Sequence, residues 1–191
     1  MRSIFLAALI AVEIGTFSLS GVFAAPAQIH IVALGDSGIR GHGVSAGEAY
    51  PAQLEAALKA RGHQVSVTNQ GIDGDTTAGV LARLDSAVPQ GTDIVVLSVG
   101  RNDIVLKHQS QAYVDAQEHE ILGRLRAKGA EVYVIHKMQE GLIDNPDLHV
   151  EKVRNPANTM WHLTAAGYAI VVNRTLPAIE ALVKKAEKRG R

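Results

Sequence analysis

The residue best placed for chemistry is Ser37, in Ala33-Leu34-Gly35-Asp36-Ser37-Gly38, directly after the apolar run Ile29-His30-Ile31-Val32-Ala33-Leu34. A hydroxyl therefore falls where a buried strand should end and the chain must turn, and open α/β sheets keep their sites at such points. To act as a nucleophile, a serine needs a base, a partner that orients the base, and donors for an oxyanion. In isolation, Gly-Asp-Ser suits a turn or a helix cap equally well. Metal chemistry is not indicated, because the eight histidines show no ligand spacing such as His-Glu-x-x-His and the chain has no cysteine. The glycines after Ser37 (Gly38, Gly41, Gly43, Gly47) fit neither a P-loop nor the dinucleotide fingerprint, so no cofactor is expected.

The elements that must position Ser37 alternate between strand and helix patterns. After the strand ending at Leu34, a helix is predicted over Tyr50 to Ala60, with Leu54 and Leu58 four apart and Gly62 as its stop. A short strand follows at Val65-Ser66-Val67, then a glycine-rich turn and a helix from about Thr76 to Val88. The run Ile94-Val95-Val96-Leu97-Ser98-Val99 reads as a central strand buried on both faces. A helix from about Ala112 to Lys128 leads into a strand at Val132-Tyr133-Val134-Ile135. A final helix is predicted from Thr164, with a kink or break at Pro177. Such alternation implies a parallel sheet covered on both sides. The least regular stretch runs from Met138 to Trp161, with at most a short strand at Leu148-His149-Val150.

Composition sets the remaining bounds. With 191 residues, 47% hydrophobic and 20% charged, one globular domain with a sizeable core is expected. Nineteen basic residues balance nineteen acidic ones, which argues against a nucleic-acid partner. Arg2 precedes the apolar stretch from Ile4 to Val12, and Val22-Phe23-Ala24-Ala25 offers a cleavage site. Residues 1–25 are therefore expected to be a signal peptide cut after Ala24 or Ala25, leaving a single domain over residues 26–191. Glu13 interrupts the apolar run and counts against a membrane span, although retention as an anchor is the alternative. The location expected is periplasmic or secreted; the oligomeric state is not readable.

Four blocks stand in order: Gly35-Asp36-Ser37, then Asn69-Gln70-Gly71-Ile72-Asp73-Gly74-Asp75-Thr76-Thr77, then Gly100-Arg101-Asn102-Asp103, then His162-Leu163-Thr164-Ala165-Ala166-Gly167-Tyr168. Together they resemble the GDSL or SGNH hydrolases, nearest the arylesterase, thioesterase and lysophospholipase group. The resemblance implies a three-layer α/β/α, flavodoxin-like fold with a small parallel sheet of four to five strands. It also implies a serine esterase acting on a small-molecule, lipid or carbohydrate ester. On it, Ser37 matches the nucleophile, His162 the general base, and the Ser37 N–H, Gly74 and Asn102 the oxyanion donors. The residue types suit these roles, since Gly74 can bring its N–H close to a ligand and the Asn102 amide is a neutral donor. Each also has a plainer reading: turn geometry for Gly74, a cap for Asn102, a packed or capping ring for His162.

The departures are as informative as the matches. The family usually carries an aspartate three positions before its histidine; here Thr159 stands there, after Asn158. A neutral oxygen orients imidazole but does not stabilise imidazolium equally well. Three readings follow: a Ser37–His162 dyad oriented by a neutral oxygen, an acid recruited from Asp144, Asp147 or Glu151, or a catalytically inactive protein binding a ligand or carbohydrate on the same scaffold. The stretch before His162 is also short for the family, so a sheet one strand smaller is expected. Arg101 takes a place usually filled by a small or neutral residue. With Asp36 it is a candidate for substrate binding, the alternative being a salt bridge from Arg101 to Asp73 or Asp103.

Overall fold

A computed structural model describes residues 28–136, 138, 140, 142, 145–148 and 162–190. Four strands form one parallel sheet: β1 (Ile29–Gly35), β2 (Val65–Gly71), β3 (Ile94–Ser98) and β4 (Glu131–Val134), in the order β2-β1-β3-β4. The helices are α1 (Ser37–Arg40), α2 (Tyr50–Ala60), α3 (Thr77–Ala87), α4 (Arg101–Val105), α5 (Gln111–Ala127) and α6 (Ala165–Arg189). The three-layer reading holds, because the strand pleat sends alternate residues into two separate cores. Ile31, Ala33, Ile94 and Val96 pack with Leu54, Leu58, Val171 and Ile179 from α2 and α6. Val32, Leu34, Val95 and Leu97 pack with Val80, Leu84, Ile121 and Leu125 from α3 and α5. Burying each such side chain contributes about 1.5–3 kcal/mol, so the inner strands β1 and β3 hold the sheet rigidly beneath the site.

Three elements depart from expectation. The second strand continues past Val67 to Gly71, pairing with β1 along its whole length. Its polar end, Thr68 and Asn69, is exposed because β2 is an edge strand, and such a segment reads as a turn from sequence. Of the kink or break expected at Pro177, the break does not occur: the last helix runs continuously through it. Proline there deprives the Asn173 carbonyl of its partner, but both residues are exposed and water can replace it, while Val171, Val172, Leu176, Ile179 and Val183 bury the opposite face. The strand expected at Leu148 is instead the end of a 3-10 turn, Pro146–Leu148, while His149 and Val150 lie outside the described residues. The sheet of the described residues thus has four strands, as the short segment before His162 predicts.

Two glycines let the nucleophile segment sit tight on the sheet. A Cβ at Gly35 would stand 2.0 Å from the Ser98 carbonyl oxygen, and one at Gly71 would stand 2.1 Å from the Arg40 nitrogen. A side chain at Gly35 would force β1 away from β3, and one at Gly71 would push α1 off the end of β2.

Candidate active site

Ser37 is the first residue of α1, immediately beyond β1, and only 6% exposed. The turn is stabilised from within: Asp36 is the N-cap, and its Oδ1 accepts from the Gly38 N–H at 2.9 Å. Burial raises the Asp36 carboxyl to about 6, opposed by the Gly38 N–H and by its electrostatic neighbours His162 and Arg101. Asp36 therefore serves first as a cap, and its charge is felt across the site.

His162, 125 residues away in sequence, places Nε2 2.9 Å from Ser37 Oγ. Two neighbours hold this segment. Leu163 is buried in the core, and Thr164 caps α6, its Oγ1 accepting from Gly167 N–H at 3.3 Å. With the serine hydroxyl donating to Nε2, the ring proton belongs on Nδ1, which is the tautomer a general base requires. Of the positions considered for orienting the ring, Thr159, Asp144 and Glu151 lie outside the described residues. Asp147 is described and exposed; its N–H donates to Asn145 Oδ1 at 3.1 Å, and its carbonyl faces Thr164 Oγ1 at 3.5 Å.

Gly74 closes a turn in which Asp75 N–H donates to the Ile72 carbonyl at 3.1 Å. Its φ of +75° favours glycine, and a Cβ there would meet nothing within 4 Å, so backbone conformation rather than crowding selects the residue. No described residue accepts from the N–H of Gly74 or of Ser37. Asn102, fully buried in α4, donates from Nδ2 to the Asp75 carbonyl at 2.7 Å, which identifies its nitrogen and leaves a second hydrogen on it. Its Oδ1 is buried with no partner among the described residues, an arrangement that costs about 1–3 kcal/mol and is usual at functional sites.

The structure also reveals supports that the sequence reading passed over. Asp103 accepts from Thr77 at two points, N–H to Oδ2 at 2.9 Å and Oγ1 to Oδ1 at 2.6 Å. Arg83 donates to Asp75 Oδ2 at 2.9 Å and to the carbonyls of Gln70 and Gly35 at 2.9 and 3.2 Å. One guanidinium thereby fastens the ends of β1 and β2 to the loop carrying Gly74. Its position on the buried side of a helix after a glycine-rich turn was the available signal. Neither salt bridge anticipated for Arg101 is formed: Asp73 instead pairs with Arg40 and His42, and Asp103 is engaged by Thr77. Arg101 begins α4 on the exposed surface, close enough for its charge to act on Asp36.

The chain is similar to known ester hydrolases in sequence and in fold. The chain is 38% identical over 81 residues to an arylesterase of Vibrio mimicus, covering 42% of this chain and 40% of that protein. It is 30% identical over 106 residues to esterase TesA of Pseudomonas aeruginosa, covering 55% and 52%. Matches to these curated relatives thus span about half of their length or less. Its fold is similar to that of the psychrotrophic esterase EstA of Pseudoalteromonas sp., solved in a form inhibited by monoethylphosphonate, with a TM-score of 0.68 and 16% identity over 81% of this chain and 98% of that one. Residues 33–181, from the middle of β1 into the second half of α6, match the family model as one block, and the chain belongs to the GDSL-like lipase/acylhydrolase family.

Proposed function

We propose that this protein is an exported serine ester hydrolase that works through an acyl-enzyme. Ser37 Oγ attacks the ester carbonyl carbon while its proton passes to His162 Nε2, and the carbonyl electron pair moves onto oxygen. That oxyanion is received by the N–H groups of Ser37 and Gly74 and by the second hydrogen of Asn102 Nδ2. As the intermediate collapses, the bond to the alcohol oxygen breaks and His162 returns the proton to it. Water then attacks the acyl-enzyme by the same route and frees Ser37. The observation that carries the reading is the 2.9 Å approach of His162 Nε2 to Ser37 Oγ at the end of β1.

In sequence Thr159 stands in the place of the usual aspartate, so His162 is read as oriented either by a neutral oxygen or by an acid recruited from Asp144, Asp147 or Glu151. The esterase names of the relatives support an ester as substrate, and we read it as a small carboxylic ester with a short acyl chain. Arg101, at the rim, suits an anionic leaving group or product carboxylate. Export rests on the leader pattern, and N-terminal sequencing of protein recovered outside the cytoplasm should begin at Ala25 or Pro26. No helix among the described residues is long and apolar enough to cross a membrane.

The deciding experiment is fluorophosphonate labelling together with p-nitrophenyl acetate turnover. The wild-type protein should be labelled at Ser37, and Ser37→Ala should remove the label and lower kcat by at least about ten-thousandfold. A wild-type protein that neither labels nor turns over, yet binds an acetylated sugar or ester, would be an inactive binding protein instead.

A further inference from the structure

His42 lies one turn beyond Ser37 and stands against His162. The two ring centroids are 4.3 Å apart with planes inclined by 37°. Its backbone is tied to the nucleophile, because the N–H groups of Gly41 and His42 both donate to the Ser37 carbonyl at 3.1 Å. The ring is oriented by Asp73, whose Oδ2 sits 2.9 Å from His42 Nδ1 and 3.2 Å from Arg40 Nη1. An ionised carboxylate only accepts, so Nδ1 carries the proton and the ring is fixed about its long axis. These side chains are 41–53% exposed, and ion pairs so exposed add little to stability. Their geometric consequence is larger: they hold an aromatic face against the base.

We propose that His42, oriented by Asp73, is a positioning residue that packs against the His162 ring and keeps Nε2 aimed at Ser37 Oγ. The inference rests on the roles proposed above for Ser37 and His162. The need is physical. To take a proton from Ser37, the His162 imidazole must hold its hydrogen-bond direction closely. A tilted aromatic neighbour restricts rotation of the ring without competing for either nitrogen. The backbone beneath His42 is itself fixed: Asn69 Nδ2 donates to the Arg40 carbonyl at 3.2 Å, and Gly71 lets the strand approach the Arg40 nitrogen.

The test compares the wild-type protein with His42→Ala, His42→Phe and Asp73→Asn, reading p-nitrophenyl acetate kinetics, thermal melting and the His162 ring-proton resonances. His42→Ala should lower kcat about tenfold with KM within about twofold, since substrate binding is untouched. Phenylalanine, which keeps an aromatic face and cannot titrate, should restore kcat to within about threefold of wild type. Asp73→Asn should fall between. The upfield ring-current shift of the His162 protons should disappear in the alanine variant and persist in the phenylalanine one. Wild-type kcat in His42→Ala, or equal impairment of the alanine and phenylalanine variants at unchanged melting temperature, would overturn the proposal. A wild-type protein without turnover or labelling would defeat the hydrolase reading alone, because the ring-current comparison still reports whether His42 packs on His162.

Discussion

The two strand ends that build the site, at β1 and at β3, each lead into a short helix and each carry a buried aspartate, yet the two aspartates work differently. Asp36 caps its own helix, bonding Gly38 two residues on. Asp103 turns away from its own helix and holds Thr77 at the start of α3, while its neighbour Asn102 holds the Asp75 carbonyl. The cap of the nucleophile turn is thus supplied from within the turn, whereas the amide turn spends both side chains on another segment of chain. Cross-linking couples the Asn102 side to the Gly74 loop, so these two of the three proposed oxyanion donors are positioned together.

That contrast predicts a graded set of effects. The largest falls on the donor itself: Asn102→Ala should lower kcat by about a hundredfold to a thousandfold with little change in KM, measured on p-nitrophenyl acetate. Asp103→Ala should act on stability first. It strands the Thr77 N–H and hydroxyl in a buried place, and denaturant unfolding should show a loss of about 3 kcal/mol. If the cross-link matters as argued, turnover in this variant should fall further than in an equally destabilised α5 variant. A loss confined to stability would mean the two loops are independent.

The smallest effect tests the self-capped turn. Burial raises the Asp36 carboxyl from 3.8 to about 6, so the folded protein binds this proton more tightly than the unfolded chain does. Ionising Asp36 therefore costs stability, which falls as pH rises from about 4 to about 6 and then levels off. Asp36→Asn keeps an acceptor for the Gly38 N–H and removes the charge. Its melting temperature should exceed that of the wild type at pH 8, by an amount worth on the order of 1–3 kcal/mol, and should match it near pH 4. A difference independent of pH would mean that the cap and not the charge sets the balance.

Local signals in the chain were sufficient for much of this arrangement. The apolar run before Gly35, the threonine caps at Thr76 and Thr164, and the uninterrupted run at Ile94 each act within a few residues, and the elements appear where those signals put them. The polar end of β2 escaped because its edge position, a tertiary fact, decides that Thr68 and Asn69 face solvent while still paired. The continuity of α6 through Pro177 escaped for a similar reason, since the buried faces on either side outweigh one missing hydrogen bond. Arg83 and His42 were passed over because their roles depend on partners 8 to 120 residues away in sequence.

The sequence by itself determined the layered α/β fold, the turn at Ser37 and the four blocks around it, because strand burial, helix capping and glycine conformation are set by neighbouring residues. Only the tertiary structure decided which atoms meet. It brought His162 Nε2 to Ser37 Oγ, set Arg83 across three strand and loop ends, sent Asp73 to His42 rather than to Arg101, and laid one imidazole on another. Those contacts join residues far apart in the chain, and their geometry exists only once two cores have packed against the sheet and fixed its edges.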